Sequence, residues 1–196
     1  MPKEIERAVL QLVVKILGGT KEPTPDWLMR PGKKECRERW QLICEIYSEL
    51  TNKKLQETMP PREWRRLDYV LKIAGSASRI IEVDEEQHFN CFRAKTLHLY
   101  PSDIKLAFDR NEWIKHSEIP RKLRGGGFGK PKKPLFPDDG GRHLQRAFRD
   151  ALADILPSGH HFEPTLRIAY FEVEWLMADD APKRMEQLLL SRGLLN

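Results

Sequence analysis

Three carboxylates have the spacing to act together. Asp68 lies in Arg66-Leu67-Asp68-Tyr69-Val70-Leu71-Lys72-Ile73-Ala74, and Glu82 and Asp84 lie in Arg79-Ile80-Ile81-Glu82-Val83-Asp84-Glu85-Glu86-Gln87-His88. Apolar and polar residues alternate in both stretches, and Gly75-Ser76-Ala77 between them is a turn signal, so the pattern predicts a β-hairpin. Successive strand residues face opposite sides, which puts Glu82 and Asp84 on one face and Ile81 and Val83 on the other. A three-residue loop pairs Ala74 with Ser78, puts Asp68 opposite Asp84 and gives an apolar reverse face. A two-residue loop pairs Asp68 with Glu85 and splits the acids. Both registers are open, and the first builds the better core. Converging carboxylates repel one another unless a cation sits among them. All-oxygen donors suit Mg²⁺ or Mn²⁺, and the chemistry such a centre favours is phosphodiester hydrolysis.

Arg66-x-Asp68, a hairpin, then Ile81-Glu82-Val83-Asp84-x-x-Gln87-His88-Phe89 resembles the core of the PD-(D/E)xK nuclease superfamily. The nearest branch is that of the very-short-patch-repair-like endonucleases, and the match spans about an eighth of the chain. The resemblance implies a metal-dependent endonuclease acting on DNA, with Asp68, Glu82 and Asp84 as metal ligands. His88 would orient or deprotonate the attacking water, or bind phosphate, and Gln87 would help position the water. No lysine follows Glu82 at the superfamily's usual spacing; Asp84 stands there, and Lys72 is the nearest substitute. Glu85 replaces the glycine common in that branch. The superfamily often adds a helical glutamate, for which Glu45 and Glu63 are candidates. A non-catalytic DNA-binding module on the same fold and an RNA-directed nuclease are the alternative functions.

Cations suited to a nucleic-acid backbone flank these acids. Arg62, Arg65 and Arg66 precede Asp68. Arg121, Lys122, Arg124, Lys130, Lys132 and Lys133 surround a glycine cluster that contains no acid. Glycines let backbone amides approach phosphates closely, but the Lys-[Ser/Thr] ending of a nucleoside-triphosphate loop is missing.

Helical periodicity supports the elements that would position these residues. Helices are expected at 4–17, stopped by Gly18-Gly19, and at 34–50, 90–99, 142–156 and 183–190. The 142–156 helix turns Leu144, Phe148, Leu152 and Ile155 inward. Residues 102–114 read as a helix, with a short strand at 104–108 as the alternative. Residues 120–137 read as a loop. Residues 165–175 read as a strand, with Glu172 and Glu174 on its polar side. The predicted fold is α/β, a restriction-endonuclease-like three-layer domain in which a mixed β-sheet is flanked by helices. It divides into a helical part (1–58), a sheet-containing core (62–175) and a terminal helix (176–196).

The 196 residues suit one domain, and a 32% charged, 40% hydrophobic composition is that of a globular protein. No apolar run approaches a bilayer span, and the N-terminus has no continuous apolar stretch like that of a signal peptide. Three cysteines are too few and too odd for a disulfide framework, so a cytoplasmic setting is expected. The net charge of +5 permits a polyanionic partner without requiring one. Nuclease domains of this kind often pair to cut both strands, so a homodimer is admitted.

Overall fold

The computed structural model describes residues 3–61, 66–123 and 129–195. Arg62, Glu63, Arg65 and Arg124 lie outside the described residues.

The chain begins with α1 (Lys3–Leu17), whose Val9 and Val13 are fully buried. Gly18 and Gly19 end it at φ of +70° and +99°. A Cβ on Gly19 would lie 2.3 Å from the Lys72 carbonyl oxygen, so this position needs glycine twice over. β1 (Thr20–Lys21) follows, then the short helices α2 (Asp26–Met29) and α3 (Lys33–Cys36).

The helix expected at 34–50 is broken. Arg37 takes φ of 50°, and α4 proper runs from Trp40 to Thr51. Two tertiary bonds hold the kink. Arg37 Nη1 donates to the Gly159 carbonyl, and His160 Nε2 lies 2.7 Å from the Glu35 carbonyl.

β2 (Tyr69–Lys72) and β3 (Arg79–Asp84) form the expected hairpin. After it come α5 (Cys91–His98), α6 (Arg110–Glu118), α7 (Gly141–Ile155), β4 (Glu163–Ala169) and α8 (Ala181–Ser191). α6 starts later than the sequence suggests because Asp109 caps it, accepting from the amides of Asn111 and Glu112. The residues before it form neither the expected helix nor the alternative strand at 104–108; Ala107 alone makes an isolated parallel bridge to Leu166. β4 ends at Ala169, not at Trp175. Glu172 then folds back to accept the Ala169 amide and pairs with Arg192, so it does not lie on a strand face.

The sheet is mixed, in the order β1-β2-β3-β4; β1, β2 and β3 are antiparallel neighbours, and β4 runs parallel to β3. Helices cover both faces. Leu71, Ile81, Val83, Leu166 and Ile168 pack with α1 and α8. Val70, Ile80 and Ala169 pack with α4, α5 and α7, where Leu144, Phe148, Leu152 and Ile155 point inward as expected. Among the described residues, no helix is long and apolar enough to cross a membrane, and all three cysteines are free.

Candidate active site

The hairpin register differs from the expected one. Tyr69 pairs with Ile81, Val70 with Ile80 and Leu71 with Arg79, which carries Asp68 to a position beside Glu82 rather than Asp84. The shift is two residues, so every side chain keeps its face. Its cause lies at the turn end of the hairpin. Arg79 is drawn to β4, donating to the Pro164 carbonyl at 2.5 Å, and Ser78 Oγ donates to Glu22 at 2.6 Å. These anchors leave a turn longer than three residues. Lys72 is used in that turn, its Nζ donating to the Ser76 carbonyl at 2.8 Å, and so does not stand in for the missing lysine.

Asp68 and Glu82 open onto a cleft of about 250 Å³. Asp68 Oδ2 accepts the Val83 amide at 2.9 Å. Burial, together with the negative charges of Glu82 and Glu6, pushes its pKa up to about 7 despite that hydrogen bond. Glu6, one turn into α1, shares the cleft wall, whereas Glu45 is exposed on α4, bonded to Gln41 and not part of that wall. Arg66 and the α7 residues Arg142, Arg146 and Arg149 line the same cleft.

His88 forms part of the wall, on a single 3-10 turn that leaves β3 at Glu86–His88. Asn90 fixes that turn: its Nδ2 donates to the Gln87 carbonyl, and its Oδ1 caps α5. His88 Nδ1 lies 2.9 Å from Asp150 Oδ2 and 3.5 Å from Asp84 Oδ1. Burial alone would lower the His88 pKa, but Asp150, through charge and hydrogen bond, and Asp84 outweigh it and raise it. Gln87 donates from Nε2 to Glu85, while its buried Oε1 has no partner among the described residues.

Asp84 has a different environment from its two companions. It is 1% exposed, its Oδ1 held by Arg167 Nη1 at 2.6 Å and its Oδ2 by Trp113 Nε1 at 3.0 Å. Arg167 stands opposite Glu82 on β4 and also donates from Nε to Asp154 at 2.6 Å. Arg93 and Tyr100 complete the shell of Asp154, at 2.7 and 2.8 Å. Burial disfavours the charge on Asp150, yet His88 and Arg167 hold its pKa well below the ordinary carboxylate range. Three aspartates thus meet two arginines and a histidine of raised pKa, a set close to neutral in total.

Asp84, His88 and Asp150 each present one ligand atom within 4.8 Å of the others, so this group could hold a metal ion. Among the described residues no comparable group joins Asp68 and Glu82 to Asp84. The expected trio is therefore divided: Asp68 and Glu82 face the cleft with Glu6, and Asp84 lies beneath them in the ionic network.

The cations expected to bind nucleic acid also separate. Arg66 reaches the cleft, while Arg121 is tied to Tyr170 Oη at 2.9 Å and to Glu86. Lys122, Lys130 and Lys133 are exposed and Lys132 half-buried, and none of the four lines the cleft. The loop is nonetheless fastened beside it, since the Arg142 amide donates to the Lys130 carbonyl at 3.0 Å.

Sequence reasoning missed Glu6, the α7 arginines, Asp150 and Arg167. One signal was available for the aspartates: Asp150 and Asp154 are set four apart among Ala147, Phe148, Ala151, Leu152, Ala153 and Ile155, on a helix face that packs inward. Comparison with known family models, curated proteins and solved structures finds no match to this chain.

Proposed function

We propose that this cleft hydrolyses phosphodiester bonds of DNA in a reaction dependent on Mg²⁺ or Mn²⁺, on a restriction-endonuclease-like fold. The observation that carries the proposal is the meeting of Glu6, Asp68 and Glu82 in one cleft with three arginines of α7 and His88. The mixed sheet flanked by helices, with the hairpin bearing the acids, agrees with the resemblance of the Glu82-x-Asp84-x-x-Gln87-His88 string to PD-(D/E)xK nucleases.

The donors fit a hard divalent cation. Burial, with the charges of Glu82 and Glu6, pushes Asp68 to about 7; a positive charge between these carboxylates relieves it, and Gln87 supplies a buried carbonyl oxygen nearby. Asp68 and Glu82 would hold the ion, with Glu6 completing the acidic wall. When bound, it would neutralise charge on the scissile phosphate and make the attacking water more acidic.

The remaining steps use the chain's own groups. Arg142, Arg146 and Arg149 grip phosphate oxygens and fix the strand. His88 accepts the water proton at Nε2 while Asp150 holds Nδ1–H, which sets the tautomer and stabilises the imidazolium. The water oxygen forms the new bond to phosphorus as the bond to the leaving sugar oxygen breaks.

The test is cleavage of plasmid and oligonucleotide DNA with Mg²⁺ or Mn²⁺ by the wild type, Glu82→Gln and Asp68→Asn, with RNA of the same sequence in parallel. Wild-type cleavage lost in both variants supports the assignment. Tight DNA binding without cleavage under either metal would make this a non-catalytic module. Preferential cleavage of RNA would move the activity to that substrate.

A further inference from the structure

A second recess adjoins the cleft and has no role in the chemistry above. It occupies about 990 Å³ between α1 and the start of β2, and Glu6, Arg66 and Asp68 belong to both walls. Away from that shared end, its floor is formed by Leu10, Val14, Leu67 and Tyr69. Five cations rim it: Lys3, Arg7, Lys15, Lys21 and Arg66.

Some surface cations of this chain are neutralised locally. Lys33, Lys53, Lys95 and Arg184 each pair with a carboxylate. None of the five rim cations has an ion pair among the described residues. Lys21 instead lies over the Tyr69 ring, 5.1 Å from its centroid. Apart from the carboxylates shared with the cleft, Glu4 is the single acid of the lining.

We propose that this groove binds single-stranded DNA leading into or out of the cleft, so that the substrate is a duplex carrying a single-stranded tail. The proposal rests on the nuclease reading of the adjoining site. A duplex does not suit the groove, because one wall is a helix and the other a strand terminus with apolar surface between them. A single strand matches the lining: its phosphates meet the unpaired cations, and its base faces lie on Tyr69 and the aliphatic floor. From Lys3 to Lys15 the helix rises about 18 Å at 1.5 Å per residue. That length is filled by at most about five nucleotides, at the stacked spacing of about 3.4 Å each.

Lys15 and Lys21 are exposed and neither lines the cleft, so replacing both with glutamine leaves the fold and the cleft intact. Binding is measured by fluorescence anisotropy in EDTA, where no cleavage occurs, on a blunt duplex and on duplexes with a 5′ or 3′ tail of about five nucleotides. The wild type is expected to prefer one tailed duplex. Each phosphate contact to a single strand contributes a slope of about 0.7 in log K against log salt. Loss of two therefore weakens tailed-duplex binding about 25-fold at about 0.1 M salt, with blunt-duplex affinity unchanged. No tail preference, equal loss on both DNAs, or a tighter hold on an RNA tail would each overturn the proposal. Cleavage of the tailed duplex with Mn²⁺ reports on the nuclease reading separately: its absence beside groove-dependent tail binding defeats catalysis and leaves the groove standing, and equal cleavage of blunt and tailed duplexes without tail preference in binding does the reverse.

Discussion

Asp68→Asn should make the metal-free protein more stable while abolishing the proposed cleavage. In the folded state the Asp68 pKa is pushed up to about 7 by burial and by Glu82 and Glu6, against an ordinary value of 3.8. The folded protein therefore holds this proton more tightly than the unfolded chain does. The resulting stability is fully present below pH 3.8, declines as pH rises, and is lost once pH passes the folded value near 7. Linkage between these two values makes the site destabilising by roughly 2–3 kcal/mol more at about pH 8 than at about pH 5. Asparagine carries no charge and keeps a carbonyl oxygen for the Val83 amide, which now donates to Asp68 at 2.9 Å. The stability difference between variant and wild type should therefore grow by about that amount over the same interval.

The assay is urea unfolding of both proteins in EDTA across that pH range, followed by a repeat at high pH with Mn²⁺. A divalent ion at 100 times its dissociation constant adds about 2.7 kcal/mol to a protein that binds it only when folded. Mn²⁺ should stabilise the wild type and leave Asp68→Asn unmoved. Parallel pH dependence in the two proteins would refute the reasoning, because it would mean that Asp68 ionises in the folded cleft as easily as in water.

Asp150→Asn removes the charge that raises the His88 pKa while keeping an acceptor for Nδ1–H. The acid limb of the kcat/KM profile should move to lower pH and kcat should fall by about 10²–10⁴; an unmoved limb would exclude His88 as the base. Arg167→Met leaves Asp84, Asp150 and Asp154 without their shared cation. Chemical denaturation should show a loss of about 3–5 kcal/mol, and a change below about 1 kcal/mol would show that these acids are not ionised in the fold. Arg146→Gln should lower the salt slope of duplex binding by about 0.9, whereas Lys115→Gln, an exposed residue of α6 paired with Glu112, should leave the slope unchanged.

The legible parts of the fold follow from local rules. α1, α7 and α8 are legible within a few residues because each has an apolar stripe at helical spacing, and α5, which has none, because Asn90 caps it and Pro101 follows it; α1 is also stopped at Gly18. The hairpin was legible because alternation and a glycine turn agree. What failed depended on partners distant in sequence. The 34–50 helix is kinked by contacts with Gly159 and His160. The hairpin slips by two residues because Arg79 and Ser78 are held by Pro164 and Glu22. β4 stops early because Glu172 turns back on its own strand end.

The division of Glu82 from Asp84 shows the limit most directly. Alternation puts both on the α7 face of β3, and the structure keeps them there. Alternation carries no information about depth along that face. Depth is set by β4, where Arg167 stands opposite Glu82 and extends to Asp84, and by α7, whose Asp150 and Asp154 hold the same guanidinium from above. Nearer the end of α7 where Arg142 and Arg146 project, the same face opens into the cleft. One helix therefore supplies aspartates where the sheet is closed and arginines where it is open. That change of sign along α7 leaves Asp84 a structural anion beneath the site and Glu82, two residues earlier, an acid facing the cleft.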